Sequence, residues 1–256
     1  MSVITPVYDG GHQYLSEAYE SLATQEMPPG WEWEWIVQED GQTQRPASFL
    51  PGHDSRVKFA SGPRAGAGAA RTLGLGRASG SIVRALDADD LFTPGALSRE
   101  IAALDEDPSL GWCISGCLDL LPDGRLTQGP SDPPAGPLPY ETLRAEFEAD
   151  AFPVVGTHLA ARKELVLLAG GWPPYPALEA LALVLVCAAM SPGKMLGTPG
   201  GVYRKHSEQT TGQADYAYQE ADAVEYLVVK KTILTRLDSL TACGWKWSPM
   251  KQGESF

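Results

Sequence analysis

The sequence predicts an α/β protein: a doubly wound, mostly parallel sheet with a small antiparallel hairpin, followed by a C-terminal helical extension. Three observations predict it. Strand-period and helix-period segments alternate through the first hundred residues, and repeated β-α units require a parallel sheet with right-handed crossovers. Pro122-Asp123-Gly124-Arg125 separates two strand-like runs, the signal of a hairpin. Tyr216 to Leu240 reads as one long amphipathic helix with a polar tail behind it.

Val3 to Val7 reads as the first strand, and Leu15, Ala18, Tyr19 and Leu22 mark the apolar face of the helix that follows. Trp31 to Val37 alternates apolar and polar residues, the period of a half-buried strand, and its end carries Glu39-Asp40-Gly41. Val57 to Phe59 is a short strand, and Ala65 to Arg77 a Gly/Ala-rich turn and helix. After the strand Ile82 to Leu86, Pro94 opens a helix with Thr93 as its N-cap. Trp112 to Leu121 and Leu126-Thr127 form the hairpin, and Gln128 to Pro139, rich in Pro and Gly, reads as a mobile loop. Helices are expected over Tyr140 to Glu148, Arg162 to Ala169 and, behind Pro176, Ala177 to Met190. Strands are expected over Gly156 to Ala160 and Lys194 to Tyr203.

Composition bounds the function. The chain has 256 residues and a net charge of −12, which argues against nucleic acid or an anionic membrane as partner, since both call for a basic face. The longest apolar run, Ala180 to Met190, is far short of the ~20 residues that cross a bilayer. Cys113, Cys117, Cys187 and Cys243 show no CxxC pair, and the N-terminus enters a strand at once. A cytoplasmic protein with reduced thiols is the expectation.

The segment Ser81 to Asp90 carries the strongest chemical signal. A mostly apolar strand ends in Asp87, Asp89 and Asp90, at the strand end where open α/β sheets bind their ligands. Carboxylates crowded there repel one another, and a divalent cation relieves the repulsion with hard oxygen ligands. The alternative is a solvated acidic turn capping the helix near Thr93-Pro94.

Several blocks together resemble the family 2 glycosyltransferases. They are Ser2 to Tyr8, Gln38 to Thr43, Ala69 to Gly74, Ala78-Ser79-Gly80, Leu86 to Asp90, Ala169 to Trp172 and Val202 to His206, in the family's order. The resemblance implies a Rossmann-like GT-A fold over residues 1–212, with a nucleotide-sugar half of about 1–110, an acceptor half of about 111–212 and a helical extension over 213–256. It implies a nucleotide-sugar donor, Mn²⁺ or Mg²⁺, and inversion at the anomeric carbon. Asp40 would accept the N3–H of uracil or thymine, so UDP or dTDP is favoured, with Tyr8 against the base and Pro6 beside it. Arg71, Asp87, Ala88 and Arg204 would contact the donor; Arg71 can pair with Asp87 and reach the diphosphate or sugar. Asp89 and His206 would hold the metal. Asp90 would support the site, and Lys205 would add local positive charge. The family's catalytic Asp corresponds to Ala180, and the neighbouring acid Glu179 becomes the candidate base. The acceptor would be a soluble small molecule or glycan, and a homodimer is one option for assembly. A catalytically degenerate nucleotide-sugar-binding scaffold and a sugar nucleotidyltransferase stand as the alternatives.

Overall fold

In a computed structural model of the protein, residues 1–129, 132–207, 209 and 223–249 are described. The first half is built from β1 (Ser2–Val7), α1 (Leu15–Ala23), β2 (Glu34–Asp40), β3 (Val57–Gly62), α2 (Ala67–Leu75), β4 (Ile82–Ala85), β5 (Leu91–Phe92) and α3 (Ala96–Glu106). Then follow β6 (Trp112–Leu120), β7 (Leu126–Gln128), β8 (Gly136–Pro137), α4 (Tyr140–Glu148), β9 (Leu159–Arg162), α5 (Lys163–Leu168), α6 (Glu179–Met190), β10 (Gly193–Arg204) and α7 (Ala223–Cys243). Among the described residues all strands share one sheet of order β3-β2-β1-β4-β9-β6-β10-β5, with β7 on β6 and β8 on β10. The strands β1, β2, β3 and β4 are mutually parallel; β9 runs against β4 and β6, and β6 is parallel to β10.

Both faces of the sheet are covered. Ile4, Ile36, Val83 and Ile114 point into a core shared with α5, α6 and α7, while Val3, Trp35, Val37 and Ile82 point into a second core under α1 and α3. Double coverage corrects one expectation. The alternating stretch around Trp35 is not half-buried: β2 starts at Glu34, and Glu34 to Glu39 are all buried. A central parallel strand has no wet face. Glu34 tolerates burial because Ser2 Oγ donates to Oε1 at 2.6 Å, the Ser79 backbone and hydroxyl donate at 2.6 and 2.7 Å, and Lys58 pairs with Oε2.

Other differences are local. Thr93 does not cap α3; the N-cap is Gly95 at φ +69°, and Thr93 Oγ1 donates instead to the Pro199 carbonyl at 2.7 Å. Leu91–Phe92, not anticipated, pairs antiparallel with β10. Residues 156–158 form a short 3₁₀ turn, and strand β9 begins at Leu159. Part of the expected loop before α4 is strand, since Gly136 and Pro137 pair with Met195 and Lys194. The hairpin β6-β7 and the bounds of α4 match the sequence reading. Helix α7 buries Val229, Ile233 and Leu237 against the α6 core. The expected helix start at Tyr216 and the 212/213 boundary lie outside the described residues. Among the described residues no helix is long and apolar enough to cross a membrane, and all four cysteines are free.

Candidate active site

Because β1, β2, β4, β6 and β10 run in one direction, their carboxyl ends open on one side of the sheet. They frame a cleft of about 670 Å³. Strand ends supply Pro6 and Tyr8 (β1), Asp40 (β2), Asp87 to Asp89 (β4), Cys117 and Asp119 (β6), and Tyr203 with Lys205 and His206 (β10). Helix starts supply Gly66, Ala67 and Arg71 from α2, and Glu179 and Ala180 from α6.

Arg71 sits at the centre. Its side chain is only 3% exposed, and it donates from Nη2 to Asp87 Oδ1 at 2.6 Å and from Nη1 to Glu179 Oε1 at 2.8 Å. Burial works against its charge, but the two carboxylates outweigh burial and push the guanidinium above its ordinary pKa. The approach of α2 to α6 depends on Gly68: a Cβ there would stand 2.2 Å from the Pro173 carbonyl oxygen and 3.2 Å from Glu179 Cβ. Glu179 is the first residue of α6, directly after Leu178 at φ +65°. A left-handed leucine costs of order 1 kcal/mol or more, and it persists where the surroundings over-determine it.

The acidic turn lies deeper. Asp89 Oδ2 is 3.0 Å from His206 Nε2. Asp90 is 2% exposed; its Oδ1 accepts the Arg204 backbone N–H at 3.0 Å and its Oδ2 has no partner. Burial first, then repulsion from Asp87, raises the pKa of Asp89. Burial and both neighbouring carboxylates raise that of Asp90 well above the usual range. Ionising all three carboxylates of this turn together is therefore disfavoured unless a cation joins them. Asp89 oxygen and His206 nitrogen are donors that suit Mn²⁺ or Mg²⁺, and the orphaned His206 Nδ1 and Asp90 Oδ2 agree with a group having its place there. Among the described residues, no cluster of three or more His, Cys, Asp or Glu forms a ready-made cage.

Of the residues singled out from the sequence, Pro6, Tyr8, Asp40, Arg71, Asp87, Ala88, Asp89, Glu179 and His206 all line the cleft. Arg204, expected among the donor contacts, does not. Its Nε donates to the Asp89 carbonyl at 2.9 Å, its Nη2 to Glu17 at 2.7 Å, and the guanidinium lies over the Tyr14 ring. It braces the acidic turn from behind. Asp40 has a task within the fold: its Oδ1 accepts the backbone N–H groups of Ala65 and Gly66 at 2.6 and 3.0 Å. Tyr8 lies over Gly10 and Gly11, where added Cβ atoms would meet its ring at 2.8 and 3.2 Å.

Sequence reasoning missed Arg64, Tyr14, Asp119, Tyr175 and the loop of residues 154–157, all on the cleft wall. Arg64 is exposed at the mouth. Asp119 pairs with Lys205 at 3.3 Å. The strand register that sets Asp119 opposite Tyr203 was the one signal available, and it is not legible without the fold.

Comparisons agree with this architecture. Residues 2–166 match the family model described as glycosyl transferase family 2. No curated protein matches the chain. Among solved structures, S. aureus TarS 1–349 in complex with UDP-GlcNAc superposes with a TM-score of 0.68 at 20% identity, covering 93% of this chain and 71% of that one. The same protein in complex with UDP gives 0.62 at 20% identity, over 92% and 70%. The chain spans 60% of TarS 1–349 in a further structure and 42% of TarS. At this identity the likeness establishes the fold, the GT-A arrangement that the sequence resemblance implies. With the family model covering well over half of its length, the chain belongs to glycosyl transferase family 2.

Proposed function

We propose that the chain transfers a sugar, with inversion, from a nucleoside-diphosphate donor to a soluble acceptor, acting in the cytoplasm with Mn²⁺ or Mg²⁺. The observation that carries the reading is Arg71, a buried guanidinium that ties Asp87 of the acidic turn to Glu179 of α6 across the cleft. One side chain thus fixes the donor side and the candidate base relative to each other, and alignment of this kind supplies much of the catalysis in a displacement reaction. The family's solved neighbour has been captured with UDP-GlcNAc and with UDP, which supports a pyrimidine donor here.

In this reading Asp40 uses the oxygen not held by Ala65 and Gly66 to accept N3–H of uracil or thymine, and Tyr8 packs against the base. Asp87 meets the ribose or donor sugar, with Pro6 and Ala88 beside it. Asp89 and His206 would hold the divalent ion, whose positive charge supports departure of the nucleoside diphosphate. Lys205 adds a further cation at the same end of the cleft. Glu179 takes the proton from the acceptor nucleophile as it attacks the anomeric carbon. Its place at the N-terminus of α6 lets the helix dipole offset part of the cost of a half-buried carboxylate.

A second reading has one observation in its favour. Ala180, where the family's catalytic Asp is expected, presents only a methyl to the cleft, and one oxygen of Glu179 is engaged by Arg71. A degenerate scaffold that binds nucleotide-sugars would look the same. Glu179→Gln separates the two: transfer measured against a panel of UDP- and dTDP-sugars should fall roughly 10² to 10⁴-fold in kcat while UDP affinity stays at the wild-type value. Absence of transfer by the wild-type protein with every donor, despite UDP binding, would support the scaffold.

A further inference from the structure

Beside Glu179 the cleft wall changes character. The loop of residues 154–157 and the first turn of α6 meet in van der Waals contact: a Cβ on Gly156 would lie 2.9 Å from the Ala180 carbonyl carbon and 3.0 Å from Leu181 Cδ2. With Tyr175, another residue of the cleft lining, they make up this wall. Val154 and Leu178 are buried, whereas Val155, Tyr175 and Leu181 are half-buried, and all of them line the cleft.

We infer that the acceptor is an apolar, ring-bearing alcohol or phenol rather than a free sugar. The inference rests on the transferase reading above, because only a nucleophile directed at Glu179 forces the rest of the acceptor to lie along this wall. A sugar lying there must give up water from several hydroxyls. Apart from Glu179, the wall's polar side-chain tips among the described residues are Thr157 and the Tyr175 phenol, and an unmatched buried hydroxyl is costly. Several charged groups of the cleft are engaged with one another: Asp119 with Lys205 at 3.3 Å, and Asp87 and Glu179 with Arg71. Lys205 also lies over the Tyr203 ring, 4.2 Å from its centroid. Burial and the neighbouring acids push the Cys117 thiol up to about 12, so it offers no charge to a polar acceptor. An apolar ring, by contrast, gains from every part of Val155, Tyr175 and Leu181 that it covers.

The test is calorimetric titration of the full chain saturated with UDP and Mn²⁺, using 4-methylumbelliferone and glucose as separate probes. The phenol should bind at least about tenfold more tightly than glucose, a difference of about 1.4 kcal/mol. Val155→Asp and Leu181→Asn, both at half-buried positions, should each weaken the phenol about tenfold without moving the melting temperature by more than a few degrees or changing the UDP Kd. Glucose binding as well as the phenol, or phenol affinity unchanged in both variants, overturns the inference. Loss of UDP binding by the wild-type protein would strike the donor reading instead, and the phenol is then titrated into the unliganded protein against the same criteria.

Discussion

Replacing Arg71 by methionine should cost both stability and donor binding, and the structure sets the size of the effect. Methionine keeps much of the buried stem but removes two charge-assisted hydrogen bonds, at 2.6 and 2.8 Å, from a side chain that is 3% exposed. Asp87 and Glu179 would then face one another across the cleft with no cation between them. Removing one partner of a buried pair typically costs about 3–5 kcal/mol. The two carboxyl side chains here keep 25% and 17% exposure, so water recovers part of the loss and the low end, about 3 kcal/mol, applies. Urea unfolding followed by tryptophan fluorescence measures it. The same substitution made on top of Glu179→Gln should cost at least about 1 kcal/mol less, since one repelling charge has gone. Arg71→Lys should recover little, because a single ammonium cannot bridge two carboxylates as the guanidinium fork does. A loss below about 1 kcal/mol for Arg71→Met, or strict additivity with Glu179→Gln, would refute the claim that this guanidinium ties the two halves of the cleft together.

Three further outcomes are expected. Glu34 is held at about 2 against an ordinary 4.5; burial opposes the shift, but donors from Lys58, Ser2 and Ser79 outweigh it. A lowered carboxylate stabilises the fold above its unfolded pKa, and the benefit is lost as pH falls from 4.5 toward 2. Glu34→Gln should therefore remove about 3 kcal/mol at neutral pH and flatten the acid limb of a stability–pH curve. Asp89→Ala, or EDTA on the wild type, should abolish turnover and weaken UDP binding measured by calorimetry; metal-independent activity at the wild-type rate would exclude Asp89 as a ligand. Asp40→Ala should weaken UDP by about 1.5–3 kcal/mol, and a GDP affinity above those of UDP and dTDP would overturn the pyrimidine assignment.

What could be seen in the sequence follows from how each feature is encoded. The runs at Ile4 and Val83 announce strands, and the acids at the strand ends, Asp40 and Asp87 to Asp90, announce the cleft, because both signals are contiguous in the chain. Helix α4 was legible to its bounds for the same reason. The full burial of the strand around Ile36 was not legible, since its alternation reads as half-buried. The link between Arg71 and Glu179 spans 108 positions, and no local pattern reports a contact of that kind. Arg204 illustrates the converse: its position at a strand end was legible, but its direction, toward Glu17 and the Asp89 carbonyl, was not. Position 180 brings both limits together. Moving an acid back by one residue on a helix turns it by about 100° around the axis, so Glu179 cannot simply stand where an acid at 180 would. Two features settle where it points instead. The left-handed Leu178 sets the entry of α6, and the missing Cβ of Gly68 lets α2 come within reach, so that the carboxylate meets Arg71 rather than solvent. If Glu179 is the base, those two positions are part of how this chain works with its acid one step early, and Gly68→Ala should disturb turnover far more than its single methyl would suggest, while Gly52→Ala, where an added Cβ would meet nothing within 4 Å, should leave turnover unchanged.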